Sequence, residues 1–267
     1  MFRRLLNKKF IFLAACCAVV TALAIPATTR TGKADDLTGR ELLSVTRVAH
    51  GGNEYRGLQF VTAKASGFVN VAPIAGVGLG TGGAAAAVEV KLNLTDYQDV
   101  MGRRRLDVSA TAPGAVALGP TFLVYTGSSG GGMYMGNEFR VSEAAASRHW
   151  GLMGFSTLNR AVDGSLVSAR QRDEGNDYVV EVKFNPEDTV RYWINKNTFL
   201  IDRVVTRYNS RVLVEEERSD YRKVSCMMLP FRIVTKLSGQ RLADLNVDSY
   251  DLQTAVPSAR FTMAVVP

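Results

Sequence analysis

Between Asp177 and Leu252 the sequence is a run of segments with alternating apolar residues, separated by turns of only a few residues. No other feature restricts the fold as much. A period of two belongs to a half-buried strand, and so short a connection joins only antiparallel neighbours. "DYVVEVKF" puts Tyr178, Val180, Val182 and Phe184 on one face. The turn "NPED" leads to "VRYWIN", where Val190, Tyr192 and Ile194 repeat the pattern, and an "NKN" turn leads to "TFLIDRVVTRYN". "VLVEEERSDYRKV", "LPFRIVTKLSG" and "RLADLNVDSYDL" follow; in the second, Phe231, Ile233, Thr235 and Leu237 oppose Arg232, Val234 and Lys236. The segments 178–184, 190–195, 198–208, 212–223, 230–237 and 241–250 are therefore expected as successive rungs of one antiparallel sheet.

The first half continues the theme with interruptions. "DDLTGRELLSVTRVAHGG" reads as a helix capped by Thr38, with Glu41 as capping-box partner. Leu42, Leu43, Val45 and Val48 fall mostly on one face, and Gly51 and Gly52 stop it. "LQFVTAKASGFV", "AVEVKLNLT", "RRRLDVSAT", "PTFLVYTG" and "GMYMGNEFRV" each read as one strand. The stretch "APIAGVGLGTGGAAAA", residues 72–87, reads as a flexible loop or wide connection. Residues 142–162 have helical spacing, interrupted by Gly151 and Gly154. The count is about ten or eleven strands in one meander, an α+β, mainly β architecture with one leading helix and inserted helical material.

Residues 1–27 stand apart. Arg3, Arg4, Lys8 and Lys9 precede an apolar run from Phe10 to Ala27, the pattern of an export signal or an N-terminal anchor. Ala22-Leu23-Ala24 suits a cleavage site, Gly32-Lys33-Ala34 suits one less well, and Leu13-Ala14-Ala15-Cys16 is similar to a lipidation box. Ordinary cleavage, lipidation of Cys16 and an uncleaved anchor all place the body outside the cytoplasm, with residues 28–37 as a leader and 38–267 as the folded domain. The formal net charge of +7 is largely an effect of this region: without residues 1–27, Lys+Arg falls from 32 to 28 against 25 acidic residues. That excludes a nucleic-acid partner. Only Cys226 remains in the body, so no internal disulfide forms there, and its neighbours Met227 and Met228 suggest a small buried hydrophobe.

Motifs of catalysis are weak. Gly78 to Gly83 contains GxGxxG, but without the alternating strands and helices of a dinucleotide site. Gly127-Ser128-Ser129-Gly130-Gly131 matches GxSxG, but a strand follows it rather than a helix, so a hairpin tip is expected. His50 and His149 are the only histidines and are far apart. No metal, cofactor or enzymatic activity is expected. "RRR" at 103–105 and "EEER" at 215–218 read as solvated charges.

One set of marks goes further. "YWINKNTFLIDRVVTRY", "SDYRKVSCMMLPFRI", "LADLNVDSYDL" and "VPSARFTM" occur in that order. With Asn195 to Thr198, Asp220 to Arg222, Leu229-Pro230, Phe261 and the His50-Gly51-Gly52 helix exit, the chain resembles LolA/LolB-like proteins, the periplasmic carriers and outer-membrane receptors of bacterial lipoproteins. The resemblance spans about residues 38–264 and is densest after 178. It implies a strongly bent, half-open antiparallel sheet, an incomplete β-barrel of about eleven strands, with helices covering the concave side. It also implies an exported, periplasmic carrier or receptor whose partners are lipid or lipoprotein acyl chains. The membrane would be met only through the N-terminus or cargo delivery. The alternatives are an envelope sensor or protein-interaction module on the same fold, and an exported hydrolase. On this reading Tyr178, Val180, Val182, Tyr192, Ile194, Phe231 and Ile233 line the apolar face. Trp150, Leu152, Met153, Phe155 and Leu158 form its lid, hinged at Gly151 and Gly154.

Overall fold

The computed structural model describes residues 37–70, 89–111, 121–127, 129–134, 137–140, 152–164, 168–184, 189–208, 212–237 and 239–263. The first element after the leader is helix α1 (Gly39–His50), closed at its start by the capping box: Glu41 N donates to Thr38 Oγ1 and Thr38 N to Glu41 Oε2. Its buried stripe is Gly39, Leu42, Leu43, Thr46 and His50. Val48, expected on that stripe, is 63% exposed, and polar Thr46 and His50 complete the face instead. Thr46 is satisfied internally, since its hydroxyl donates to Leu42 O at 2.9 Å. Gly51 ends the helix at φ +134°, where a Cβ would also stand 2.6 Å from Met227 Cγ, so chain reversal and close approach both require glycine. The short helix α2 (Asn53–Gly57) follows.

Thirteen strands then form one sheet: β1 (Phe60–Asn70), β2 (Glu89–Asp99), β3 (Arg104–Thr111), β4 (Thr121–Tyr125), β5 (Gly130–Tyr134), β6 (Asn137–Arg140), β7 (Ser168–Glu174), β8 (Asp177–Lys183), β9 (Thr189–Asn195), β10 (Ile201–Tyr208), β11 (Val212–Val224), β12 (Met227–Leu237) and β13 (Gln240–Asp251). The order is β6-β5-β4-β3-β2-β1-β13-β12-β11-β10-β9-β8-β7, with every pair antiparallel. The six expected rungs are therefore present in the expected order. Two differences raise the count. "GMYMGNEFRV" is not one strand but the hairpin β5–β6, and Ser168–Glu174 adds β7 at the edge. Residues 198–200 belong to the turn before β10, because Asn195 Oδ1 accepts from Asn197 N and Thr198 N while Phe199 takes φ +57°.

Among the described residues the sheet is two chains of hairpins joined where β1 meets β13, and its edges β6 and β7 do not pair with each other. It is strongly bent, as one ion pair shows. Tracing the register, Glu216 on β11 lies in line with Thr235, Ala243, Val69 and Val90. Arg104 on β3 lies in line with Gln98, eight residues further along β2. On a flat sheet the five strand steps and that offset would separate the two residues by about 35 Å. Arg104 Nη1 is 3.7 Å from Glu216 Oε1. The face carrying both is therefore concave, and the sheet coils round it. α1 lies on this face: Gly39 sits against Val180 and Ala169, and His50 reaches β10 and β12.

The convex face carries its own smaller cluster, Val179, Trp193 and Val205, with Arg203 stacked 3.7 Å from the Trp193 ring. A 3-10 turn at Ser258–Phe261 packs over β2–β4: Phe261 is buried beneath Arg103, and Arg105 donates to Arg260 O and Thr262 O. Cys226 is half-buried in the tight turn between β11 and β12 rather than in the core.

Candidate functional site

By register the inward positions run Tyr178, Val180, Val182 on β8; Val190, Tyr192, Ile194 on β9; and Val204, Thr206 on β10. They continue through Glu216 and Arg218 on β11; Phe231, Ile233, Thr235 on β12; and Leu245, Val247 on β13. Ala63 and Ala65 on β1, Leu94 and Asp96 on β2, and Arg104, Leu106 and Val108 on β3 complete the face. The residues expected to line one face thus share it. They divide, however, into two environments.

Over β8–β10 the face is closed. Tyr178, Val180, Val182, Tyr192 and Ile194 are each no more than 4% exposed. Leu152, Met153 and Leu158, from helix α3 (Phe155–Asp163) and the turn before it, are buried, and Phe155 is half-buried. Trp150 and Gly151 lie outside the described residues. α3 packs against α1 and α2 through polar ties: Arg47 and Arg56 meet Asp163, Asn159 Nδ2 donates to Tyr55 O, and Tyr55 OH donates to Phe155 O. His50 anchors the end of α1. Its Nδ1 donates to Met228 O at 3.0 Å and its Nε2 accepts from Ile201 N at 3.3 Å, with the rings of Tyr55 and Tyr221 beside it. Burial, joined by the charge of Arg218, lowers its pKa to about 4 against the Met228 bond, which raises it. The imidazole is neutral at pH 7, a structural role.

Over β12, β13, β1 and β2 the face is apolar but less closed. Its floor is Ala63, Ala65 and Val247, and Leu94, Phe231, Ile233, Leu245 and Tyr250 pack on that floor only half-buried. Phe231 and Ile233 belong here and not with the closed core. A separate polar groove of about 400 Å³, lined by Phe68, Arg232, Arg241 and Asp244 among others, lies by register on the convex side.

A circuit of buried charge crosses the concave face. Phe155 N donates to Gln98 Oε1 (3.0 Å), and Gln98 Nε2 donates to Asp96 Oδ2 (2.7 Å). Arg104 grips Asp96 through Nε and Nη2, at 3.0 and 2.7 Å, and meets Glu216. Arg218 Nη2 donates to Glu216 Oε2 (2.8 Å) and to Met153 O (2.8 Å). The loop closes on the residues flanking Gly154, which caps α3 without a side chain. Burial would lower the pKa of both arginines, but Asp96 and Glu216 for Arg104, and Glu216 for Arg218, outweigh it and hold them raised. The runs "RRR" and "EEER" read as solvated, yet Arg104 is 8% and Glu216 5% exposed. The signal was available: Arg104 is in phase with Leu106 and Val108, and Glu216 and Arg218 with Val214.

The serine of GxSxG sits as expected at a hairpin tip, where Thr126 N donates to Ser129 O between β4 and β5. His149 and the GxGxxG stretch lie outside the described residues. Among the described residues no helix is long and apolar enough to cross a membrane.

No family model matches this chain, and no curated protein matches it. Solved structures do show similarity. One is a LolA superfamily protein from Nitrosomonas europaea, at a TM-score of 0.48 and 13% identity over 85% of this chain and 98% of that one. A second is a chain from Vibrio parahaemolyticus described as an outer membrane lipoprotein-sorting protein domain, at 0.48 and 11% over 84% and 95%. A third is a DUF1329 family protein from Desulfovibrio piger, at 0.46 and 13% over 84% and 95%.

Proposed function

We propose that this chain is an exported, non-enzymatic carrier or receptor that holds an acyl chain of a lipid or lipoprotein against its concave face. The observation that carries the reading is the apolar set Leu94, Phe231, Ile233 and Leu245, packed on Ala63, Ala65 and Val247 yet only half-buried on the inside of a bent sheet. Each methylene removed from water there contributes about 0.8 kcal/mol, so a long chain needs no directional polar contact. Phe231 and Ile233 touch the ligand. Tyr178, Val180, Val182, Tyr192 and Ile194, with Leu152, Met153, Phe155 and Leu158 above them, hold the scaffold beside it. Residues 1–27 direct export to the periplasm or anchor the protein at the membrane.

The test is native mass spectrometry of the exported protein with lipid extraction, joined to displacement of a fluorescent fatty acid. Co-purifying lipid, and displacement that Ile233→Asp abolishes, are the expected results. A lipid-free protein that never takes up the probe would overturn the reading. The closed core beneath α1 and α3 favours one alternative in that event, an envelope sensor or protein-interaction module on the same fold.

A further inference from the structure

The groove on the convex side, about 400 Å³ in volume, takes no part in the proposed function. We propose that it is a binding site for a neutral saccharide, with the open ring of Phe68 as platform and the side chains of Arg232, Arg241, Asp244 and Asn246 as hydrogen-bond partners for sugar hydroxyls.

The groove is built on the sheet itself. Phe68 lies directly opposite Asp244, Arg232 opposite Asn246, and Asn70 opposite Glu89, so the lining shares one face of β12, β13, β1 and β2. Phe68 is 49% exposed, the one aromatic side chain open to that extent among the described residues. Trp193, Tyr97 and Phe122, on the same face by register, each lie beneath an arginine guanidinium; among the described residues Phe68 has no such cover. An aromatic face left open beside hydrogen-bonding groups suits the C–H face of a sugar ring, whose partly positive hydrogens meet the negative face of the aromatic. Charge points the same way. The Asp244 side chain, 12% exposed, accepts from Arg232 Nε at 3.3 Å and Nη2 at 3.1 Å, and also from Arg241 Nη2. With Glu89 the lining holds two positive and two negative groups, so its field draws in neither an anion nor a cation. Both guanidiniums are more than half exposed and each carries five N–H donors, and the Asn246 amide both donates and accepts, a set that matches adjacent hydroxyls. The volume is at the small end of ligand sites and suits a mono- or disaccharide unit.

This site is independent of acyl binding and is tested separately. The exported protein is titrated calorimetrically with chitotriose, with maltotriose and with inorganic phosphate, and is mixed with vesicles with and without a neutral glycolipid. Binding of a trisaccharide, or of the glycolipid vesicles over the plain ones, is the expected result. Soluble trisaccharide binding points to a free or polymeric glycan, and vesicle binding alone to a lipid-borne one. Phe68→Ala should weaken the binding about tenfold, and Asn246→Ala should weaken it too. Both side chains are exposed, so urea midpoints should not move. Phe68→Trp should keep the affinity, and its indole emission should change when sugar is added. No binding of sugar in any form would overturn the proposal, as would sugar binding that Phe68→Ala leaves unchanged. Binding of phosphate without sugar would overturn it in favour of an anion site.

Discussion

Single residues of this protein do work that their type alone does not announce. His50 is the clearest example, a titratable ring used as a two-ended peg between helix α1 and strands β10 and β12. Its nitrogen facing Ile201 must stay unprotonated to accept that N–H. Unfolded, the ring binds a proton below pH 6.5; folded, it resists one until about pH 4. The unfolded state therefore gains protons first as pH falls. Stability from this residue is fully present above 6.5, declines between 6.5 and 4, and is then gone, a loss of about 3 kcal/mol. Urea midpoints measured from pH 7.5 to 3.5 should fall more steeply for wild type than for His50→Phe, which keeps a ring and cannot titrate. Parallel curves would remove His50 from the acid sensitivity. The charged residues teach a complementary lesson. Arg104 and Glu216 were read as solvated because each stands in a run of like residues, "RRR" and "EEER". Phase, not the company of neighbours, decides which member turns inward, and only the sheet's bend reveals that two inward charges on distant strands meet.

At the scale of elements, local rules carried most of the reading. Alternation and short turns located the strands from β8 to β13, because register and turn chemistry are properties of neighbours in sequence. They failed at β5–β6, where glycine-rich residues give no alternation to interrupt, and at β7, whose residues are nearly all polar because it is an edge. Helix α1 was legible from its ends. Its capping box should contribute measurably: Thr38→Ala leaves Glu41 N without its acceptor and is expected to cost about 1 kcal/mol in chemical denaturation. A change below a few tenths would mean that packing of Leu42 and Leu43 alone fixes the start of the helix. Helix α3 was expected as a cover for the concave face. Its buried Leu158 and Ala161, its ties to α1 and α2, and the bonds of Met153 and Phe155 to opposite walls of the sheet show it fastened there. None of those long-range partners could be read from the helix's own sequence.

For the whole molecule, the question is what joins its two halves. β1–β6 and β7–β13 share one backbone ladder, between β1 and β13, and across the concavity they share the Arg104–Glu216 contact. A buried ion pair adds little net stability when made, because desolvation offsets its attraction. Breaking one partner is different, since the remaining charges stay buried. Arg104→Met leaves Asp96 buried without a cationic partner and Glu216 with Arg218 alone, and should cost about 3–5 kcal/mol. Removing all four charges at once, in Asp96→Leu/Arg104→Met/Glu216→Leu/Arg218→Met, leaves no buried charge uncompensated and should cost less than the single change, although Gln98 Nε2 and Met153 O lose a partner. The four substitutions share one network, so their effects should be strongly non-additive. Equilibrium denaturation of wild type, Arg104→Met and the fourfold variant measures this directly. If the fourfold variant is the least stable of the three, the circuit holds the halves together by its charges. If it recovers most of the loss, the bend is fixed by the ladder and the apolar faces rather than by the charges. The second outcome is the one expected, because the β1–β13 ladder runs through eight residue pairs and Ala65, Gly67 and Leu245 are set in close register along it.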